Sequence, residues 1–391
     1  MFFGFTGALN YFWGSFFYPD CPPGTTKMKT AVNYMRRALT LAKRGEGYVS
    51  PNPMVGAVVV KDGKVIGEGW HSEFGGPHAE VDAIGRAGDL ARGAELYVNL
   101  EPCSHQGKTP PCTSLIIRSE IKKVYIGMQD PNPLVNGKGT EILRQHGIEV
   151  ETGILEPECR MLNEVFVKYI TTQKPFVLFK YAMTLDGKIA TVQNASRWIT
   201  GEESRKIVHQ LRHGMGSVMV GADTVIYDDP MLNVRLKGKS SRQPLKIIAD
   251  SALRIPLSSK VLAMEPQLCL IATTGRADKN KVTEVRRLGA EVLICPEKDG
   301  RVDLEFLFQN LGRMDIPAVL LEGGSTLAFS ALKQGLVDKV TAFIAPKILG
   351  GAKAPTAVGG NGIAAMEDAL CLRGMNVKRV GDDLMVTGYL K

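Results

Sequence analysis

Four side chains in the first third of the sequence carry the means for metal-assisted chemistry. They are His78 and Glu80, in Pro77-His78-Ala79-Glu80, and the later Cys103 and Cys112. One imidazole and two thiolates give zinc three protein ligands and leave its fourth tetrahedral position open for water, the arrangement of a catalytic site. Glu80 stands two residues past His78, in register to lie beside that water. Zinc makes a bound water acidic, and a carboxylate placed there accepts its proton during attack on an electrophilic carbon and returns it to the leaving group. A closed site with His71 or His105 as a fourth ligand is the structural alternative, but it leaves Glu80 without a task.

The elements that must hold these residues follow from periodicity. Met35, Ala38, Leu39 and Ala42 recur at helical spacing over 29–43, with Gly45 as a stop. Val55 to Val60 is a β-branched run, closed by Lys61-Asp62-Gly63-Lys64 before Val65 and Ile66 resume, which predicts a hairpin. A helix over about 78–87, a strand over 96–100, a short helix from Thr113, a strand over 123–128 and a helix from Thr140 follow. This β-β-α-β-α-β-α order implies an open three-layer α/β/α sheet. His78 and Cys112 then fall at helix starts, where the helix dipole favours thiolate over thiol.

Around 171–175 the pattern restarts. A strand over 176–181 and a helix over about 202–213 lead into strands at 218–220, 245–249, 268–272, 292–294, 319–321 and 340–344, with helices between them. This is a second α/β domain with its own core. It has no G-x-G-x-x-G after a strand, so a standard dinucleotide fold is not indicated. Val319 to Thr326 instead runs from a buried strand through Gly323-Gly324 toward a helix, where backbone amides can approach a phosphate closely.

A chain of 391 residues, with 44% hydrophobic and 23% charged residues and 42 glycines, fits two catalytic modules of a globular α/β protein. The formal charge of +8 is spread along the chain with no arginine-rich arm, which suits a phosphorylated metabolite better than a nucleic acid. Seven cysteines in this length do not form a disulfide framework, and a reducing, cytoplasmic setting is expected. The first 27 residues, uncharged and aromatic-rich to Tyr18 and then Pro/Gly-rich, suit neither a signal peptide nor a spanning helix. The expected start is Met28, giving a zinc-dependent domain over 28–172 and a second domain over 173–391, with no membrane partner.

H-x-E followed by P-C-x-x-C is the zinc deaminase signature, but here eight residues, Ser104 to Pro111, separate the cysteines. Together with Ser50-Pro51-Asn52-Pro53-Met54-Val55-Gly56, the segment Leu100-Glu101-Pro102-Cys103 through Cys112 resembles the bifunctional riboflavin-biosynthesis deaminase/reductases. Lys180 to Ala190, Trp198-Ile199-Thr200 and Glu322-Gly323-Gly324-Ser325 extend the resemblance over about 28–391. It implies a cytidine-deaminase-like three-layer domain followed by a dihydrofolate-reductase-like α/β domain. It also implies two steps: zinc-dependent deamination of 2,5-diamino-6-ribosylamino-4-pyrimidinone 5'-phosphate with loss of ammonia, then reduction of the ribosyl group to ribityl by NADPH.

By the same resemblance Asn52, His71 and Lys108 hold the first substrate. Ala182, Trp198, Thr224, Asp228 and the Gly324-Ser325-Thr326 turn bind NADPH. Lys180, Ser196, Arg212, Leu232, Arg235 and Glu322 bind the second substrate, with Lys180 and Asp228 also suited to proton handling. Such enzymes often assemble from several copies. Tyr227-Asp228-Asp229-Pro230 departs from the Ala-Asp-Asn-Pro expected in relatives. The rival readings are a tRNA or cytidine deaminase fused to an unrelated domain, a zinc-braced module that only captures a phosphorylated nucleotide, and a chain in which one domain is inactive.

Overall fold

A computed structural model describes residues 26–104, 110–132, 135–236 and 241–390. The aromatic N-terminal segment, His105 and Lys108 lie outside these. The described chain divides into two compact units, one ending at Gln173 and the other beginning at Lys174.

The first unit opens with α1 (Thr26–Ala42), then β1 (Gly56–Lys61) and β2 (Lys64–Trp70) joined by the Asp62-Gly63 turn, α2 (Ala79–Ala87), β3 (Glu95–Leu100), α3 (Cys112–Arg118), β4 (Lys123–Met128) and α4 (Lys138–Gln145). It closes with β5 (Glu149–Thr152), α5 (Glu156–Leu162) and α6 (Glu164–Thr172), which extend the expected order. The sheet order is β2-β1-β3-β4-β5, antiparallel from β2 to β3 and parallel beyond. Along β1, Ala57 and Val59 face the core beneath α2, α3 and α4, while Val58 and Val60 are buried on the opposite face. The three-layer expectation holds, and it follows from the period-two alternation of a doubly buried strand.

Close packing fixes the helix that carries His78. A Cβ on Gly69 of β2 would overlap the Ala79 carbonyl, and one on Gly67 would overlap that of Ala83, so α2 lies with its backbone against the strand. Two glycines on one face of β2 therefore set the depth of α2.

The second unit contains β6 (Phe176–Thr184), α7 (Glu202–Met215), β7 (Ser217–Gly221), α8 (Ala222–Asp228), β8 (Leu245–Ala249), α9 (Lys260–Ala263), β9 (Cys269–Thr273), α10 (Lys279–Arg287) and β10 (Glu291–Ile294). A small hairpin, β11 (Glu297–Lys298) and β12 (Arg301–Val302), precedes α11 (Leu304–Arg313), β13 (Ala318–Gly323), α12 (Ser325–Lys333), β14 (Lys339–Ala345), β15 (Arg373–Val380) and β16 (Asp383–Tyr389). Nine strands form one sheet in the order β10-β9-β8-β7-β13-β6-β14-β16-β15. Strands β10 to β14 in this order are parallel, and β16 and β15 add an antiparallel edge. Leu270 and Ala272 face one core and Cys269 and Ile271 the other, as a sheet covered on both faces requires. After β6 the chain crosses to β7 and winds outward to β10, then returns to place β13 between β6 and β7. Their carboxyl ends converge there, which is where open α/β sheets bind ligands.

Candidate active sites

In the first unit, His78 is the residue ahead of α2, Cys103 follows β3, and Cys112 opens α3. Their ligand atoms all lie within 4.8 Å of one another. His78 Nδ1 is 3.2 Å from Cys112 Sγ and 3.5 Å from Cys103 Sγ, and the Cys112 N–H donates to Cys103 Sγ at 3.3 Å. One borderline nitrogen and two soft sulfurs at this spacing fit zinc. The Cys103 thiol is held down to about 4, first by its hydrogen bond with the Cys112 thiol and then by His78, against the opposing effect of burial. The same hydrogen bond, with burial, pushes the Cys112 thiol up, so the pair shares a proton unequally.

Glu80 lies in the first turn of α2 and is buried at 3% exposure. Burial, and next the neighbouring Cys103, push its carboxyl above the ordinary value. A carboxyl so raised can hold a proton and release it, which is what acid–base exchange needs. His71 is also buried. Its Nδ1 is 2.9 Å from the Pro77 carbonyl and its Nε2 3.1 Å from Asn52 Nδ2. With both ring nitrogens so engaged, His71 is not placed as a fourth metal ligand. Burial lowers its affinity for a second proton.

Glu101, quoted above within a motif but given no role, is buried beside this centre. Its carboxylate accepts from the N–H groups of Asp130 at 3.2 Å, Gly137 at 3.0 Å and Thr140 at 2.9 Å, tying the end of β3 to the start of α4. The only sequence signal for it was a carboxylate at the end of an apolar strand.

In the second unit, Glu322 at the end of β13 is the hub. Arg212 of α7 reaches it through Nε at 2.6 Å and through its terminal NH2 at 2.8 Å, and Lys180 of β6 lies 3.2 Å away. The third arm of Arg212 donates to the Asn233 carbonyl at 2.9 Å. Burial alone would raise the Glu322 carboxyl, but the Arg212 guanidinium and the Lys180 ammonium outweigh it and hold the group at about 2. His209, one turn before Arg212, is lowered to about 4 by burial and then by Arg212 and Arg235.

The other expected residues lie on β6, on α8, in the turn ahead of α12 and in the segments that follow β6 and α8. Gly324 is the residue ahead of α12, whose first residues are Ser325 and Thr326, and the Gly324 N–H donates to Thr224 Oγ1 at 3.2 Å. A Cβ built on Gly323, at φ +135°, would meet nothing within 4 Å, so the approach to the turn is open. Ser196 Oγ donates to Asp228 Oδ1 at 3.2 Å, and Arg235 reaches Asn233 Oδ1 at 3.1 Å. Leu232 is buried, Ala182 lies in β6, and Trp198 is 60% exposed with the Arg205 guanidinium 4.6 Å from its ring centre. The unusual carboxylate of Asp229 pairs with Lys260 at 3.0 Å and accepts its N–H at 2.8 Å.

Known proteins match both units. Residues 28–128 match the cytidine and deoxycytidylate deaminase zinc-binding region, and 175–386 match the RibD C-terminal domain. Riboflavin biosynthesis protein RibD of Actinobacillus pleuropneumoniae is 47% identical over 365 residues, covering 93% of this chain and 96% of that protein. The RibD of Escherichia coli is 38% identical, covering 90% and 97%. Among solved structures, a form of Acinetobacter baumannii RibD superposes with a TM-score of 0.84 at 38% identity, covering 94% of this chain and all of that one. A Thermotoga maritima diaminohydroxyphosphoribosylaminopyrimidine deaminase/5-amino-6-(5-phosphoribosylamino)uracil reductase gives 0.82 at 40% identity, covering 93% and 100%. At this identity over nearly its whole length, the chain belongs to the RibD family and is a bifunctional deaminase/reductase of riboflavin biosynthesis.

Proposed function

We propose that residues 28–172 deaminate 2,5-diamino-6-ribosylamino-4-pyrimidinone 5'-phosphate at C2 and that 173–391 then reduce its ribosyl group. The observation that carries this reading is the convergence of His78, Cys103 and Cys112 within 4.8 Å, with the buried Glu80 two residues from His78. These three residues hold zinc, which when bound supplies the Lewis acidity that makes a water reactive near neutral pH. Glu80 accepts a proton from the attacking water and delivers it to the amine, so the ring gains oxygen and ammonia departs. Asn52, His71 and Lys108 orient the ring and its phosphate.

For the second step NADPH, when bound, would supply a hydride to the opened ribosyl carbon, with a proton taken up from solvent to complete the reduction. The amide end of α12 at Gly324, Ser325 and Thr326 receives a cofactor phosphate, with Ala182, Trp198, Thr224 and Asp228 around it. Glu322, held by Arg212 and Lys180, faces the ribosyl hydroxyls together with Ser196 and Leu232, and Arg235 offers its guanidinium to the substrate phosphate. The working form is a homo-oligomer in the cytoplasm, the compartment in which the free cysteines of the described residues stay reduced.

The test measures bound metal, ammonia release and NADPH oxidation separately, in the parent and in Glu80→Gln. One zinc per chain is expected in both. Ammonia release should fall by roughly 10²–10⁴ in the variant, with NADPH oxidation of the deaminated intermediate retained. Bound zinc with ammonia release indifferent to the substitution would make the metal structural and end the proposal.

A further inference from the structure

Two buried amides in the first unit have no part in the roles above. Asn99 in β3 and Asn163, just ahead of α6, are 0% and 1% exposed. Both close on Met54. The Met54 N–H donates to Asn163 Oδ1 at 2.8 Å, and Asn163 Nδ2 donates to the Met54 carbonyl at 3.0 Å. Asn99 Nδ2 reaches the same carbonyl at 3.0 Å, while its Oδ1 accepts the Gly56 N–H at 2.8 Å. Residues 51–55 run ahead of β1 outside any strand, so side-chain amides stand in for the missing ladder partners. Losing Asn163 Oδ1 leaves the Met54 N–H without its partner, whereas the Met54 carbonyl is shared by two amides and keeps the remaining one.

What this clasp holds still is Asn52, two residues away across Pro53. The Asn52 amide is also held from its other side. Because the Pro77 carbonyl can only accept, His71 Nδ1 carries the ring proton and Nε2 is the acceptor. Asn52 therefore turns its NH2 toward His71 and directs its carbonyl oxygen away from it. We propose that Asn163 is a positioning residue for the first substrate, holding residues 52–54 so that Asn52 Oδ1 meets an N–H donor of the aminopyrimidine. This rests on the deaminase reading above. It assigns Asn163 to binding rather than to the chemical step, since Glu80 and the zinc ligands sit on other segments.

The test compares the zinc-loaded full chain with Asn163→Asp, which keeps the acceptor for the Met54 N–H and loses the donor to its carbonyl. Asn163→Ser covers the case in which the aspartate does not fold. Ammonia release is followed against substrate concentration, with zinc per chain and NADPH oxidation of the deaminated intermediate as controls. KM should rise at least about tenfold while kcat stays within about threefold, with both controls at parent level. KM within about twofold of the parent overturns the assignment whatever happens to Tm, because a merely structural amide lowers stability without moving KM. Loss of zinc in both variants overturns it too, by making Asn163 a support of the metal centre. No ammonia from the parent chain would fail the deaminase reading itself, and the positioning role with it.

Discussion

Replacing Glu322 with glutamine should unsettle the second unit while leaving deamination intact. Glu322, Lys180 and Arg212 expose only 7%, 11% and 14% of their side chains, so the carboxylate neutralises two cations that water hardly reaches. Removing one member of a buried ion network costs about 3–5 kcal/mol, because the remaining charges lose their partner. The titration of Glu322 gives a second measure. Its fall from the ordinary 4.5 to about 2 corresponds to about 3 kcal/mol. A depressed carboxyl stabilises the fold fully above the ordinary value and loses that stabilisation as pH falls toward about 2. Hydrogen exchange of β6 and β13 amides, measured from pH 7 down to pH 3, reads both quantities within the second unit alone. The parent should lose protection below about pH 4.5, whereas Glu322→Gln should begin about 3 kcal/mol lower and show less acid loss over that window. Equal protection in the two proteins, with equal acid slopes, would refute the claim that a buried ionised Glu322 holds this site together.

Other outcomes follow from the geometry of each unit. Gly69→Ala should push α2 off β2, lowering zinc occupancy and ammonia release together and costing about 1–3 kcal/mol in chemical unfolding of the first unit. Chelation of the metal should abolish ammonia release, leave NADPH oxidation of the deaminated intermediate unchanged, and make Cys103 the more quickly alkylated of the paired thiols, since it is the one held down to about 4. Asp186 accepts the Leu349 N–H at 3.2 Å and the Gly350 N–H at 2.6 Å, so Asp186→Ala should speed exchange at these two amides, read by peptide-resolved hydrogen exchange.

Much of the frame was legible because its strands are short β-branched runs between turns. Residues 123–128 and 245–249 are strands over those same bounds. What escaped notice lacks that pattern. The β15–β16 hairpin forms the antiparallel edge of the sheet, and Arg373–Val380 alternates charged and apolar residues too irregularly to stand out before its partner is known. α5 and α6 follow one another with only Asn163 between them, and their joint period is broken where the chain turns at that residue.

The sites divide along a similar line. A metal ligand or proton carrier belongs to a few residue types at constrained spacing, so His78, Glu80, Cys103 and Cys112 announced themselves. Residues that position others have no such restriction. Asn163 meets Met54 across 109 positions of sequence, and Glu101 spends its carboxylate on three backbone N–H groups 29 to 39 positions away. Nothing in either local sequence marks those partners. Arg212 and Glu322 were each singled out, but their mutual pairing depends on β13 lying between β6 and β7, a crossover that no local pattern encodes. That pairing occupies the arginine. Nε and one terminal NH2 of Arg212 go to Glu322 and the other to the Asn233 carbonyl, whereas the exposed Arg235 reaches Asn233 Oδ1 at 3.1 Å and the His209 ring at 3.4 Å, a difference between two arginines that their local sequences do not show.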